Sequence, residues 1–185
     1  MTVSSDLDAR FRAAALAEGL VDVRYDIVES PIGELLAAAT DRGLARISFS
    51  SDGMEETLAH AYGARVLRAP LDDLRRELDE YFTGRRETFD LPLDLRVAPF
   101  HAQVLDELAR VPYGRTETYG GLARRVGRPR AARAIGTVMH SNPIPIVLPC
   151  HRIVGANGAL TGYGGGLHVK RHLLELEGAL LPGSA

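Results

Sequence analysis

The segment TFDLPLDL, residues 88–95, most constrains the fold, because it is an extended, proline-interrupted connection between two halves with different apolar periodicity. In the half before it, VRYDIVES, ELLAAAT and LARISFS have the pattern of short strands, joined by the turns PIG and DRG. In the half after it, PFHAQVLDELARVP and AARAIGTVMH space their apolar residues as helices do. A strand-rich unit followed by a helical unit predicts an α/β chain with two domains.

Helices are also predicted around the strands. Residues 4–19 have a thin apolar face, and Ser51 or Asp52 is expected to cap a helix that runs to Tyr62. ARVLR is a further strand candidate, and LDDLRRELDEYFTG has helical spacing that stops at Gly84. We expect three parts: an N-terminal helical extension over 1–22, an α/β domain with its linker over 23–95, and a C-terminal domain over 96–185.

Composition excludes several classes of protein. No apolar run approaches the length that spans a bilayer, and the N-terminus lacks the continuous apolar core of a secretory signal. A single cysteine in 185 residues excludes an intramolecular disulfide and a multi-cysteine zinc site. The lack of a membrane-spanning run predicts a protein without a membrane partner. The single cysteine favours the cytoplasm, where a lone thiol stays reduced.

The charge is divided unequally between the halves. Residues 1–95 hold 11 Lys or Arg against 19 Asp or Glu, whereas residues 96–185 hold 11 against 5. Lys170 is the only lysine of the chain. A basic second half favours a polyanionic partner, but an arginine-rich genome would place the same charges on solvated surfaces. Composition alone leaves both explanations open.

The arginines cluster on a predicted helix-turn-helix. Thr118 is a good N-cap for TYGGLARRVG, which Gly127 closes, and Pro129 lies in the first turn of the next helix. Five arginines fall across this pair with no acid among them, namely Arg124, Arg125, Arg128, Arg130 and Arg133. Small residues in the second helix allow close approach to a groove, so the cluster favours phosphate contact. The alternative is a helix corner that binds nothing.

Cys150 lies in IVLPCHRIV beside an imidazole and a guanidinium. A lone cysteine is commonly an inert buried side chain, but Pro149 fixes the backbone before it, and His151 and Arg152 after it favour the nucleophilic thiolate. Successive side chains of an extended segment point to opposite faces. We therefore expect a bent backbone or a water, not direct contact, to link Cys150 with His151.

Two further features surround this cysteine in the sequence. A histidine that acts as a base needs an orienting partner, and Glu175 and Glu177 on the closing helix are the candidates that the residues leave open. The glycine loop over 162–166, interrupted by Tyr163, allows a flat ligand to approach the backbone. The sequence therefore predicts a reactive thiol next to a ligand site.

NPIPIVLPCHRIVGANGALTGYGGG, followed by KRHLLELEG, resembles the active-site region of the O6-alkylguanine-DNA alkyltransferases. The resemblance continues upstream through VPYGRTETYGGLARRVGRPRAARAIGTVMHSNP and so covers residues 96–178. It is weaker in RYDIVESPIGELLAAAT and LDDLRRELDEYFTG. The family implies a small antiparallel-sheet domain with helices, ribonuclease H-like, and a mostly helical C-terminal domain with a winged-helix-like helix-turn-helix. It also implies that the protein flips an O6-alkylated guanine out of duplex DNA and moves the alkyl group irreversibly to its own cysteine.

The resemblance assigns the catalytic roles position by position. Cys150 is implied to be the acceptor, activated through a water by His151, which Glu177 orients. Asn142 matches the asparagine that braces the active-site turn. The chemistry fits this assignment, since thiolate is the best protein nucleophile for a soft alkyl carbon.

The resemblance also assigns the base pocket and the DNA contacts. Tyr163, the Gly164 backbone and Ile153 are implied to line the pocket, and Tyr119 to help expel the nucleotide and protonate the leaving guanine. The implied contacts to the minor groove come from Tyr119, Arg128, Arg130, Arg133 and Gly136. Arg133 matches the arginine that fills the vacated space in the base stack. The implied partner is double-stranded DNA containing O6-alkylguanine, bound by a nucleoid-associated monomer.

No cofactor and no metal are expected, because the thiols that some relatives use for an N-terminal zinc site are absent. Leu105 stands where many relatives carry tryptophan, which we expect to affect packing more than chemistry. Two other functions stay open at this point. One is a lesion sensor or DNA-binding regulator without repair activity, and the presence of Cys150 argues against it. The other is a Cys-His hydrolase of another class, which nothing outside PCHR favours.

Overall fold

The computed structural model describes residues 5–50, 54–63 and 65–181. Its N-terminal half begins with helix α1 (Ser5–Ala17) and contains strands β1 (Val23–Val28), β2 (Leu35–Thr40), β3 (Gly43–Ser48) and β4 (Val66–Arg68), with helices α2 (Met54–Tyr62) and α3 (Asp72–Phe82). The strand order is β3-β2-β1-β4. The first three strands pair antiparallel, as the sequence predicts, whereas β4 joins β1 in parallel and makes the sheet mixed.

The central strand β2 explains how the sheet packs on both faces. All six of its residues are buried, because LLAAAT alternates between two apolar clusters. Leu35 and Ala37 face the main core, and Leu36 and Ala38 face a smaller cluster that includes Leu58 of α2. The small alanines allow helices to approach both faces of the sheet.

The C-terminal half is mostly helical. It contains α4 (Pro99–Ala109), β5 (Glu117–Thr118), α5 (Tyr119–Arg125), α6 (Ala132–His140), β6 (Ile153–Val154) and α7 (Leu167–Leu176). Strands β5 and β6 pair in parallel. The Thr118 hydroxyl caps α5 by accepting a hydrogen bond from the Gly121 N–H at 2.9 Å, as predicted.

Three local predictions fail or fall outside the described residues. The second helix of the pair begins at Ala132 and not at Pro129, so Arg128 and Arg130 lie in the preceding turn. The segment around the cysteine is not extended, because Cys150–Arg152 form one turn of 3₁₀-helix. The predicted caps Ser51 and Asp52 lie outside the described residues.

The two halves share one apolar core. This core runs from β2 and α3 into α4, α5, α6 and α7, and it contains Tyr81, Leu105 and Leu173 at 1% exposure or less. Leu105, expected to affect packing more than chemistry, is therefore a buried residue of this core. None of the helices in the described ranges is long and apolar enough to cross a membrane.

Candidate functional site

Cys150 forms part of the wall of a cavity of about 370 Å³. Both halves line it, with Phe49 directly after β3, His140 at the end of α6, and Tyr163 and Gly164 from the glycine loop. A larger cavity of about 610 Å³ runs along α6 and shares His140, Tyr163 and Gly164 with the first. The thiol, which is in a residue only 6% exposed, is thus reached from the surface beside α6.

Asn142 braces the turn that carries the cysteine. Its Nδ2 donates to the Leu148 carbonyl at 2.8 Å, and its Oδ1 accepts from the Ile144 N–H at 3.1 Å. Between them Ile146 has a φ of 75°, a left-handed conformation that a β-branched residue adopts only under constraint. The turn is also tied to the N-terminal half, because the Ile47 N–H donates to the Pro143 carbonyl at 2.9 Å.

The buried partner of His151 is Glu177. Nε2 of His151 lies 2.8 Å from Oε1 of Glu177, and both side chains are fully buried. Arg152 binds the same carboxylate through two hydrogen bonds, from Nε to Oε2 at 2.8 Å and from Nη2 to Oε1 at 2.9 Å. The sequence left Glu175 and Glu177 as candidate partners of His151. The partner is Glu177, since Glu175 makes no contact with His151 in the described part of the chain.

Burial lowers the pKa of His151 but raises that of Glu177, where hydrogen bonds and charges outweigh burial. The hydrogen bonds from His151 and Arg152 bring the pKa of Glu177 down to about 2. A neutral imidazole beside a carboxylate places its proton on Nε2. The other nitrogen, Nδ1, is buried without a hydrogen-bond partner among the described residues, so its lone pair is free to accept a proton.

Burial of the thiol opposes the thiolate that His151 and Arg152 are expected to favour. Burial raises the pKa of Cys150 to about 11, partly offset by a hydrogen bond to Asn142 and by the charge of Lys170. Arg152 does not serve the thiol, because its guanidinium is engaged by Glu177 and by the Val111 carbonyl at 2.6 Å. Deprotonation therefore has to be coupled to the reaction.

Lys170 holds the glycine loop against the cysteine segment. It is fully buried, and its Nζ donates to the carbonyls of Ile153 at 2.5 Å and Thr161 at 3.1 Å. Burial lowers its pKa to about 8. Ile153 of β6 is fully buried and is not among the residues that line the two cavities beside Cys150, so its place in the base pocket stays a prediction.

Tyr163 and Gly164 do line the cavity of Cys150, as expected. The Tyr163 hydroxyl is buried without a partner among residues 5–50, 54–63 and 65–181, and burial holds its pKa well above the usual range. Its ring packs on Phe49 with centroids 5.4 Å apart, and a Cβ at Gly165 would lie 3.0 Å from Cδ1 of Phe49. Tyr163 therefore brings an unsatisfied hydroxyl to the cavity wall on a ring that Phe49 supports.

The larger cavity along α6, called the outer cavity below, is lined by Tyr119, Arg133 and Gly136. The Tyr119 hydroxyl shares a hydrogen bond of 2.9 Å with the Thr161 hydroxyl. The arginine cluster divides, because Arg125 pairs with Glu107 at 3.1 Å and Arg128 stacks on Phe100 with 4.8 Å to the ring centroid. Arg124, Arg130 and Arg133 are exposed and make no side-chain hydrogen bond or ion pair within the described ranges.

Sequence reasoning missed the contribution of the N-terminal half to the site. The Tyr81 hydroxyl of α3 donates to Oε1 of Glu177 at 2.7 Å, across 96 positions. Phe49 and Ile47 reach the active-site loops from β3. No local pattern marks these residues, since each reads as an ordinary core position of its own element.

Two family models match the chain. Residues 23–95 match the ribonuclease-like domain of 6-O-methylguanine DNA methyltransferase, and residues 99–179 match the DNA binding domain of the same family. A methylated-DNA–protein-cysteine methyltransferase of Methanosarcina barkeri is 40% identical over 162 residues, which cover 83% of this chain and 96% of the relative. The constitutive enzyme of that name from Bacillus subtilis is 37% identical, covering 83% and 94%.

Solved structures agree with these matches. The crystal structure of the O6-methylguanine methyltransferase of Mycobacterium tuberculosis has a TM-score of 0.76 at 40% identity, covering 88% of this chain and 96% of that one. The structure of the same organism's OGT in complex with DNA has a TM-score of 0.75 at 39% identity, covering 84% and 93%.

A ribonuclease-like domain joined to a DNA-binding domain that carries a buried cysteine defines a DNA repair methyltransferase. The chain belongs to the 6-O-methylguanine DNA methyltransferase family, the methylated-DNA–protein-cysteine methyltransferases. The family, the fold class and the activity that the sequence predicted are confirmed.

Proposed function

We propose that Cys150 accepts the methyl group of O6-methylguanine in duplex DNA, once per protein molecule. The observation that carries this proposal is the position of the thiol. It lies in the wall of a cavity that shares lining residues with the larger cavity along α6, where Tyr119 and Arg133 are found. A base that is flipped out of duplex DNA bound at α6 would therefore lie close to the sulfur.

In the proposed reaction, Nδ1 of His151 receives the thiol proton through a water, and the imidazolium that forms is stabilised by Glu177. The sulfur attacks the methyl carbon, so that an S–C bond forms as the C–O6 bond breaks. The electron pair of that bond passes into the guanine, and the hydroxyls of Tyr163 and Tyr119 donate to the departing base. The guanine takes up one proton as it leaves and is therefore neutral. In the net reaction, the proton lost by the Cys150 thiol is balanced by the proton gained by the guanine. The thioether has no easy route back to thiol.

The proposed DNA contacts come from α6 and the turn before it. Arg133 would enter the base stack, Arg128 and Arg130 would contact phosphates, and Gly136 allows close approach to the minor groove. We further propose a monomer that acts on DNA in the cytoplasm. It consists of an extension over 1–22, a domain over 23–95 and a DNA-binding and acceptor domain over 96–185.

The stoichiometry of methyl transfer tests this function. With excess duplex carrying labelled O6-methylguanine, we expect one methyl per protein molecule and none for Cys150→Ser. Continued turnover, or transfer by Cys150→Ser, would contradict the proposal. Tight binding to the lesion without any transfer would support the lesion sensor instead.

A further inference from the structure

The hydroxyl of Tyr81 is part of the hydrogen-bond network behind the cysteine. Tyr81 lies near the end of α3 in the N-terminal half, is 0% exposed, and donates to Oε1 of Glu177 at 2.7 Å. That oxygen is the same atom that faces Nε2 of His151 at 2.8 Å. A residue of the ribonuclease-like domain therefore contacts the group that orients the proposed base.

The two oxygens of Glu177 are shared among several donors. Oε1 faces His151, Arg152 and Tyr81, and Oε2 faces Arg152 and, at 3.4 Å, the Gly114 N–H. Donors on one oxygen compete for its electron density, so each hydrogen bond weakens the others. Removing the Tyr81 hydroxyl should therefore strengthen the hydrogen bond between Oε1 of Glu177 and the Nε2 proton of His151.

Packing fixes the direction of the Tyr81 hydroxyl. Its ring contacts Phe82, Phe89 and Tyr113, with centroids 5.3, 5.4 and 6.2 Å away. Burial and the charge of Glu177 hold the pKa of Tyr81 well above the usual range. The hydroxyl is therefore a fixed neutral donor whenever the protein is folded.

We propose that Tyr81 is a positioning residue for methyl transfer, which holds the Glu177 carboxylate in place and limits how strongly it retains the proton of His151. This inference rests on the proposed function of Cys150 and His151. It gives the N-terminal domain a part in the chemistry and not only in the fold.

The groups that face His151 all enter the expected pH dependence. They are Lys170 of α7 and Glu177 directly after it, Arg152 and Cys150 on the same turn as His151, Tyr163 from the glycine loop, and Tyr81 behind the carboxylate. Among these, Tyr81→Phe changes only the donor on Glu177 and keeps the packed ring. Tyr113→Phe is the matched control, because its hydroxyl donates to the Leu176 carbonyl at 3.2 Å and not to the carboxylate.

Two measurements on the full chain test the proposal. In Tyr81→Phe we expect the Nε2–H proton resonance of His151 to move downfield, and the rising limb of the methyl-transfer rate against pH to shift upward by about half a pH unit. Tyr113→Phe should leave both unchanged. An unmoved resonance and an unmoved limb in Tyr81→Phe would overturn the proposal, as would equal changes in both variants.

The resonance does not depend on methyl transfer, which separates the two proposals. If the wild-type protein transfers no methyl to Cys150 while the resonance still responds to Tyr81→Phe, the proposed function fails and the positioning contact stands. If wild-type transfer is normal and the resonance does not respond, only the inference about Tyr81 fails.

Discussion

Nε2 of His151 and Oε1 of Glu177 face each other across 2.8 Å in a fully buried site, 26 positions apart in the sequence. Because the carboxylate fixes the proton on Nε2, Nδ1 is left as the acceptor on the side away from Glu177. The tautomer of His151, the proposed base for Cys150, is therefore set by Glu177 at the end of the C-terminal helix. This relationship is the basis of the first two predictions.

Glu177→Gln should slow methyl transfer by at least about 100-fold, because the amide neither stabilises the imidazolium nor fixes its tautomer. Single-turnover rates on duplex DNA measure the effect, and thermal melting checks that the variant is folded. Glu175→Gln on the same helix is the control and should react at the wild-type rate. Equal rates for the two variants would argue against Glu177 as the partner of the base.

The stability of the protein should fall as the pH is lowered below 6.5. The folded-state pKa of His151 lies below its ordinary value of 6.5, so the unfolded chain binds this proton first and unfolding is favoured as the pH falls. Below 4.5 Glu177 adds to the loss, since its stabilising charge, present above 4.5, disappears as the pH approaches 2. Denaturant unfolding at several pH values measures the slope.

His151→Gln is the matched variant for this slope, because its amide can still donate to Glu177. It should lose the part of the pH dependence that begins at 6.5 and keep the part that Glu177 adds below 4.5. The same slope in both proteins across the upper range would show that His151 is not the group responsible.

Arg133→Ala should lower the repair rate on duplex DNA much more than the reaction with the free O6-methylguanine base. Arg133 is exposed on α6 beside the outer cavity, where it can enter the base stack but cannot assist a base already free in solution. Arg76→Ala, an exposed arginine paired with Asp73 in the N-terminal half, should change neither rate. Equal losses on both substrates would contradict a role in base flipping.

Phe49→Ala should slow transfer from duplex DNA and from the free base alike, since Phe49 supports the Tyr163 ring and the glycine loop at the cavity wall. The lost aromatic pair should cost about 1 kcal/mol of stability. Phe11→Ala, an exposed aromatic of α1, is the control for both measurements. A loss confined to duplex DNA would place Phe49 in DNA binding and not in the pocket.

The parts of the fold that depend on local pattern could be predicted from the sequence. Alternation identified β1 to β3, and apolar spacing identified α3 and α4, because these signals are carried within a few residues. The turn at Cys150–Arg152 could not be predicted in this way. Its 3₁₀ geometry depends on the turn that Asn142 holds through Leu148, while the local residues favour an extended strand.

The residues of the candidate site could be predicted where the resemblance supplied their positions. Prediction failed where contacts between distant residues decide the chemistry. Cys150, His151 and Glu177 come together as expected, but the charge at the thiol does not follow from the neighbours in sequence. Burial raises the pKa of the Cys150 thiol, and Arg152 binds Glu177 instead of the thiol, although Arg152 is close to Cys150 in the sequence. Tyr81 lies in another domain, so no spacing rule connects it to the carboxylate.

The sulfur of Cys150 is expected to receive the methyl group, and the product can be identified directly. Duplex DNA containing O6-methylguanine with an isotopically labelled methyl should be incubated with the protein, which is then digested and sequenced by mass spectrometry. We expect the labelled methyl on the peptide that contains Cys150, fragmenting to S-methylcysteine, in proportion to the lesion lost from the DNA. Lesion loss with an unmodified Cys150 peptide, or label on any other residue, would contradict methyl transfer to Cys150.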